Sequence, residues 1–198
     1  MEVLTGYGSS MAFFCGAGLA VSRDLTGFEE GNEVNIHFER IGMIHTPYTS
    51  MSAPEQSQRD APGEFWISLN PEYAAGLDRL EKFRYIYLLY FLDQVRSARE
   101  MAVTPPWAGG IQVGLFASRS PNRPNPIGLS VVEIKEIDGR DIVTTGVDCF
   151  NGTPLLDIKP YIRTLDFKED ANDGWFNDLE DRSHLVDHLL GIAHEHER

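Results

Sequence analysis

The sequence predicts a mainly β protein, a small β-barrel with one short internal helix and a C-terminal amphipathic helix. Short apolar segments recur along the 198 residues and are separated by glycines and prolines, which number 18 and 11, as is typical of barrels and sandwiches. Only one internal segment has helical periodicity. No Gly-x-Gly-x-x-Gly motif opens a β-α-β unit, so a Rossmann-type cofactor site is not expected.

The first half of the chain supplies two or three of these strands and the internal helix. Residues 1–32 carry no repeat or motif, and 1–39 are interpreted as an N-terminal extension. Alternating apolar residues over 34–47 predict one or two strands, and 65–69 predict another. Asn-Pro at 70–71 then begins a helix whose apolar face contains Tyr73, Leu77 and Leu80.

The second half completes a domain that we expect to span 40–166. Its apolar runs are rich in β-branched and aromatic residues, which favours strands over helices. The predicted strands are 85–95, 113–117, 127–134, 142–149 and 156–158.

A third region, 167–198, combines an acidic linker with the amphipathic helix. The apolar face of this helix, together with the aromatic pair Trp175 and Phe176, needs a cover, so we expect a homodimer. No metal site is predicted, because no His-Glu-x-x-His motif or cysteine ligand accompanies the four histidines of this region, which are His184, His188, His194 and His196.

Net charge restricts the partners of the protein. Thirty acidic and 17 basic residues give a charge of −13, which excludes a general nucleic-acid binder. Residues 1–111 contain 14 acidic and 8 basic side chains, residues 112–165 contain 6 of each, and residues 166–198 contain 10 and 3. An anionic ligand meets least repulsion in the neutral middle segment, so any RNA contact has to be local.

Cysteine use and the N-terminus indicate a cytoplasmic protein. Cys15 and Cys149 are far apart and have no metal-ligand spacing, so two reduced thiols are expected. The first residues carry no basic stretch, and the apolar segment 11–21 is short and contains glycines. We therefore expect no membrane partner.

The first unusual motif is Ser-Arg-Ser-Pro-Asn-Arg-Pro-Asn-Pro-Ile-Gly-Leu-Ser at 118–130, and its part before the predicted strand, 118–126, is called the Arg-Pro loop below. Proline fixes φ and removes a donor, so the loop is stiff and holds Arg119 and Arg123 for bidentate recognition of a carboxylate or phosphate. The alternative is that the arginines only pin the loop by binding its carbonyl groups.

The second motif is Asp-Cys-Phe-Asn-Gly-Thr-Pro-Leu-Leu-Asp-Ile-Lys-Pro-Tyr at 148–161. Its Asn-Gly pair predicts a turn with positive φ, whose backbone groups could bind a polar ligand. Asp157 and Lys159 alternate onto one strand face. Taken alone, the first half of the motif could be an ordinary turn, and the second half could be a surface ion pair.

At these motifs the sequence resembles the TsaA-like family, also known as TrmO, over about 40–166. Ile-Gly-Met-Ile-His-Thr-Pro-Tyr at 41–48 opens the resemblance, and Pro-Pro at 105–106 precedes the Arg-Pro loop. The resemblance implies a β-barrel of the TsaA-like type that binds S-adenosylmethionine and is usually a homodimer. It also implies a methyltransferase that acts on the exocyclic amine nitrogen of threonylcarbamoyl-adenosine beside the anticodon of tRNA.

When the family's cofactor contacts are carried over by position, they fall in the loop after the first strand, at the end of the predicted strand 85–95, which is rich in aromatic residues, and in both motifs. We assign no catalytic residue. The candidates for binding the methyl acceptor are Arg123, Asn125, Lys159 and Tyr161. The implied cofactor contacts are Pro54, Glu55, Gln56, Asp93, Gln94, Arg119, Leu129, Asn151, Gly152, Thr153 and Pro154.

Several positions depart from the family pattern, and most of them lose positive charge. Glu55 stands where the family commonly has Arg, Asp93 where it often has His, and Asn151 where it has Asp. Val103, Thr104 and Trp107 stand where the family usually has basic residues around the Pro-Pro segment. Because RNA phosphates need basic partners, two alternatives stay open: a methyltransferase of a small molecule or another macromolecule, and a non-catalytic S-adenosylmethionine sensor.

Overall fold

The computed structural model describes residues 36–49, 61, 63–95 and 100–179. The chain divides into two units between His37 and Phe38, and the helices and strands of the described residues lie in the second unit. The helical elements are 3₁₀ helices at Pro71–Leu77, Leu80–Lys82, Leu115–Ala117 and Gly174–Asp178, and helix α1 at Arg163–Asp166. The strands are β1 (Gly42–His45), β2 (Trp66–Leu69), β3 (Tyr85–Phe91), β4 (Ala102–Val103), β5 (Val113–Gly114), β6 (Ile127–Asp138), β7 (Asp141–Thr144) and β8 (Thr153–Pro160).

Six of these strands form one antiparallel sheet that closes on itself. Their order is β1-β2-β7-β6-β3-β8, and β8 pairs again with β1. β4 and β5 form a separate two-stranded sheet. The mainly β prediction is confirmed, and we refer to the six strands as the closed sheet.

The core fills the inside of the closed sheet with alternate residues of each strand. On β3, Ile86, Leu88 and Tyr90 are buried, whereas Phe91 is exposed. This period of two is the pattern expected when one face of a strand is packed and the other faces outward. Ile44, Phe65, Ile67, Ile142 and Leu155 come from the other strands or their ends and complete the buried cluster.

Tyr90 is a buried polar aromatic side chain of this core, and it needs space on the neighbouring strand. Its partner across the β3–β6 pair is Gly128. A Cβ atom at Gly128 would lie 2.0 Å from Cε2 of the Tyr90 ring, far inside contact distance. The glycine therefore lets the tyrosine ring lie flat over β6.

Element boundaries differ from the predicted ones for local reasons. The predicted helix at 70–83 is two 3₁₀ helices, because Arg79 adopts a left-handed conformation (φ 66°) between them. The predicted strand at 113–117 ends at Gly114, where the Leu115–Ala117 helix begins. The predicted strand at 142–149 ends at Thr144, and β8 is longer than predicted.

Beyond β8, α1 and the Gly174–Asp178 helix follow. The predicted C-terminal helix and its histidines fall outside the described residues, as do Cys15 and most of the N-terminal extension. No helix in the described part has the length and apolar character needed to cross a membrane.

Candidate functional site

Most of the implied cofactor contacts lie at one end of the closed sheet. There β1 and β3 end and β6 and β8 begin, since Phe91 pairs with Ile127 and Ile44 pairs with Thr153. We call this the loop end. The sequence-derived residues at the loop end are Asp93 and Gln94 after β3, Leu129 on β6, and Asn151, Gly152, Thr153 and Pro154 around the start of β8.

The Asn-Gly turn is fixed to the end of β1. Asn151 N donates to Tyr48 O at 2.9 Å, and Gly152 N donates to Ile44 O at 2.9 Å. Asn151 Oδ1 accepts from Thr46 N at 3.3 Å. Gly152 has the positive φ that the sequence predicted, 86°, but the backbone N–H groups of this turn already donate to carbonyls in β1 and just after it. What the turn can offer a ligand is the Asn151 amide nitrogen, which donates to no described residue.

The Arg-Pro loop contains two arginines with different environments. Arg123 Nη1 donates to Ser118 O at 2.9 Å and to Ser120 O at 3.3 Å, and its guanidinium lies 5.7 Å from the ring centroid of Phe116. Arg123 thus stabilises the loop by binding its carbonyl groups, which is the alternative role that the sequence left open for the arginines. Arg119 is exposed and makes no hydrogen bond or ion pair within the described ranges, so its charge is available to a ligand.

A backbone hydrogen bond joins the Arg-Pro loop to the loop end. Leu92 N donates to Pro126 O at 2.8 Å, immediately after β3 and immediately before β6. The exposed neighbours are the carboxylate of Asp93, the amide of Gln94 and the apolar side chain of Leu129, 57% exposed. A cation, a carboxylate, two amides and an apolar side chain together suit a zwitterionic ligand that also has apolar parts.

A buried polar network that was not predicted from the sequence lies under this end. Tyr90 Oη donates to Asp148 Oδ1 at 3.0 Å and lies 2.8 Å from Ser130 Oγ, which is 2.9 Å from the same carboxylate oxygen. Burial raises the pKa of Tyr90 above its ordinary value, and the Asp148 charge adds to this rise. Strand alternation puts Tyr90 and Ser130 on inward positions, but the sequence pattern does not show that these side chains meet Asp148.

Cys149 lies beside the network and is buried. Desolvation raises the pKa of its thiol to about 12, although a hydrogen bond with Thr153 lowers the pKa in part. At neutral pH it is therefore a protonated, unreactive side chain. The sequence-derived expectation of a reduced thiol holds for this cysteine.

The candidates for acceptor binding do not form one group. Asn125 and Arg123 belong to the Arg-Pro loop, whereas Lys159 and Tyr161 lie at the far end of β8, opposite the start of β3. Lys159 is the sixth residue after Thr153 along the strand, a distance of about 20 Å. Lys159 Nζ is 2.7 Å from Asp157 Oδ2, which is the surface ion pair that the second motif allowed.

The remaining predicted site residues fall outside the described residues. Pro54, Glu55 and Gln56 belong to the segment after β1, whose described part ends at Thr49. Within the described ranges, no group of three or more His, Cys, Asp or Glu side chains could hold a metal ion.

Comparison with known proteins identifies the family. A sequence profile of the tRNA-methyltransferase O N-terminal domain matches residues 43–167. A probable S-adenosyl-L-methionine-binding protein of Archaeoglobus fulgidus is 37% identical over 161 residues, which are 81% of this chain and 43% of that protein. The tRNA (adenine(37)-N6)-methyltransferase of Escherichia coli is 35% identical over 147 residues, 70% of this chain and 63% of that enzyme.

The fold comparison agrees with the sequence comparison. A crystal structure of TrmO superposes with a TM-score of 0.60 at 30% identity and covers 71% of this chain and 64% of that one. The chain thus spans less than two thirds of each of these three relatives. The family resemblance read from the two motifs is confirmed, and the chain belongs to the TrmO, or TsaA-like, family of S-adenosylmethionine-dependent methyltransferases.

Proposed function

We propose that this protein binds S-adenosylmethionine at the loop end and transfers its methyl group to an adenosine of tRNA. The observation that carries the proposal is Arg119, an exposed guanidinium without a partner in the described structure, on a loop that the prolines and Arg123 hold in place. The relatives named as tRNA (adenine(37)-N6)-methyltransferases support tRNA as the acceptor.

The residues of the loop end fit this cofactor. Arg119 suits the methionine carboxylate as a bidentate, charge-assisted donor. Asp93 suits the ribose hydroxyl groups, and the amides of Gln94 and Asn151 suit the edge of the adenine. Leu129 provides the apolar surface that a sulfonium-bearing chain requires beside these polar groups.

Positioning carries most of the catalysis in this proposal. The bound cofactor supplies an electrophilic methyl group on a sulfonium. The chain holds the cofactor and the acceptor nitrogen in line and excludes water, which can contribute a large part of the rate enhancement without a dedicated base. The Tyr90–Ser130–Asp148 network stabilises the strands from which the contact residues project.

The tRNA contact is expected to be weak and salt-dependent. Lys159 pairs with Asp157, and Arg84 pairs with Glu133 at 2.8 Å, so these side chains offer RNA less net charge than their number suggests. Arg119 and Arg163 are exposed and have no ion pair within the described ranges. Each phosphate contact releases about one counterion, so the affinity for tRNA should fall as the salt concentration rises.

A second candidate is methylation of a small acceptor at the same site. The observation that favours it is the net charge of −13, which repels a polyanion, together with the ion pairs on two of the basic side chains. In this case Lys159, Tyr161 and Arg163, which lie away from the loop end, would have no part in binding the acceptor.

We also propose that the protein is a homodimer. Trp175 and Phe176 pack against Trp107 of the same chain, whereas the predicted C-terminal helix lies outside the described residues. The outer face of β3 and β6 presents Phe91 and Val131, which are 39% and 45% exposed, as apolar surface for a second copy of the chain. Light scattering on wild type and Val131→Lys tests this proposal; two monomeric samples at micromolar concentration would contradict it.

The proposed acceptor is tested by mass spectrometry of tRNA nucleosides from a deletion strain. Restoring the wild-type gene should restore a methylated adenosine derivative, and Arg119→Ala should not. Purified protein with radiolabelled S-adenosylmethionine then separates the two acceptors. Label that enters tRNA supports the first candidate, whereas label that appears in a small molecule other than S-adenosylmethionine and its breakdown products, with none in tRNA, supports the second.

A further inference from the structure

Three aromatic side chains outside the closed sheet form a compact cluster, which we call the aromatic clasp. The rings of Trp107 and Trp175 stack with centroids 5.4 Å apart and planes 4° from parallel. Phe176 packs edge-on against both, at 5.1 Å and 4.6 Å. Ala108 and Leu179 are buried beneath these rings. Stacked and edge-to-face rings at these distances stabilise a contact beyond the area they bury.

The clasp joins two segments that are far apart in sequence. Trp107 lies between β4 and β5, and Trp175 and Phe176 lie in the Gly174–Asp178 helix. That helix follows the last residue matched by the family profile, which is 167. The part of the clasp that comes from the C-terminal segment is therefore a feature of this chain beyond the family-matched domain.

One hydrogen bond connects the clasp to the Leu115–Ala117 helix, immediately before the Arg-Pro loop. Trp175 Nε1 donates to Ala117 O at 2.8 Å, and Ala117 is two residues before Arg119. The Leu115–Ala117 helix is anchored on its other side, where Leu115 N donates to Met101 O at 2.9 Å. Because Arg119 has no side-chain partner in the described structure, its position depends on how its backbone is held.

The backbone around Arg119 is held from both directions. Arg123 binds the carbonyls of Ser118 and Ser120, and Trp175 binds the carbonyl of Ala117. Removing the Trp175 bond takes away the hydrogen bond that the C-terminal segment makes to Ala117 O and leaves the bonds from Arg123 to hold this stretch. The loop then samples more conformations, and ordering it on ligand binding becomes more costly.

We propose that the aromatic clasp positions Arg119 for the cofactor carboxylate, with Trp175 as a positioning residue. This inference rests on the proposed function, because it takes Arg119 as the carboxylate anchor. It assigns to the C-terminal segment a role in cofactor affinity that is exerted through the backbone of the Arg-Pro loop rather than by direct contact with the cofactor.

The test uses Trp175→Phe, which keeps an aromatic ring but removes the N–H donor. Tyr73→Phe is the matched control, since it removes one aromatic donor at the opposite end of the closed sheet. Calorimetry measures S-adenosylmethionine affinity, and amide hydrogen exchange measures opening at 118–120. We expect Trp175→Phe to weaken binding about twofold to fivefold, the effect of one partly exposed hydrogen bond, and to speed exchange at 118–120. Tyr73→Phe should change neither.

A double-mutant cycle with Arg119→Ala separates positioning from general destabilisation. If Trp175 acts through Arg119, Trp175→Phe has no further effect on affinity in the Arg119→Ala background. An equal loss in both backgrounds, or an unchanged affinity in Trp175→Phe while Arg119→Ala binds weakly, would overturn the inference. Unchanged affinity in Arg119→Ala alone, or no binding by wild type, would refute the proposed function itself.

Discussion

Replacing Gly128 by alanine tests the packing that supports the loop end. The added Cβ would lie 2.0, 2.4 and 2.6 Å from three carbons of the Tyr90 ring, whereas carbon atoms in contact are about 3.5 to 4.0 Å apart. The ring would have to move by about 1.5 Å. It is only 3% exposed and is held by Ser130 and Asp148, so it cannot move without losing these hydrogen bonds.

The expected cost combines overpacking with a weakened buried hydrogen bond. Together these should lower the free energy of unfolding by about 3 kcal/mol. For a chain of this size, that loss corresponds to a fall in Tm of roughly 6 to 12 °C. Urea denaturation followed by tryptophan fluorescence measures it.

Gly114→Ala is the matched control, because nothing lies within 4 Å of its added Cβ, and we expect a change within about 0.5 kcal/mol. A second comparison uses Tyr90→Leu, which removes the ring. Gly128→Ala should cost much less in that background. A loss below about 1 kcal/mol in the wild-type background would show that the ring and its network do not constrain β6.

Three further predictions concern the buried thiol and the basic side chains. The pKa of the Cys149 thiol is about 12 in the folded protein and near 9 in the unfolded chain. Its contribution to stability is therefore complete below pH 9 and is lost as pH rises toward 12. Cys149→Ala should reduce the fall in Tm between pH 9 and 10.5, and a fall identical to that of the wild type would contradict this. Arg119→Ala should weaken S-adenosylmethionine binding by about 2 to 4 kcal/mol in calorimetry while leaving Tm unchanged, since the side chain has no described partner to lose. Arg163→Glu should lower methyl transfer to tRNA at constant cofactor affinity, and transfer that ignores the substitution would favour the small acceptor. Arg123→Glu is the less informative variant, because Arg123 also holds the Arg-Pro loop.

The sequence predicted the parts of this molecule that depend on local pattern. Alternation marked the strands around Ile67, Leu88 and Val132, and two motifs marked the loop end. The pattern could not reveal that Tyr90 and Ser130 meet Asp148, because that meeting depends on the register between β3 and β6 and on the path of the chain after β7. The pattern also could not distinguish Arg119 from Arg123. The path of the folded backbone decides which of the two arginines binds the carbonyl groups of the loop.

Position in the folded sheet also separated residues that lie close in sequence. Asp157 and Lys159 belong to the same motif as Asn151, and Lys159 and Tyr161 were predicted to bind the acceptor together with residues of the Arg-Pro loop. A strand is extended, so even eight residues carry the chain from one end of the sheet to the other. Membership of one motif therefore indicated that these residues share a strand. In the structure, the two ends of this strand lie at opposite ends of the closed sheet.

Closure of the sheet by β1 and β8 has a consequence for how the protein is made. The contact between Thr46 and Asn151 joins residues 105 apart in sequence, so loop-closure entropy must be overcome before this pairing contributes. During synthesis, β1 and β3 leave the ribosome long before β8, and each then lacks a neighbour. The loop end is completed only when the chain reaches β8, which makes folding of this domain a late event and leaves shorter nascent chains with unpaired strands that chaperones can bind.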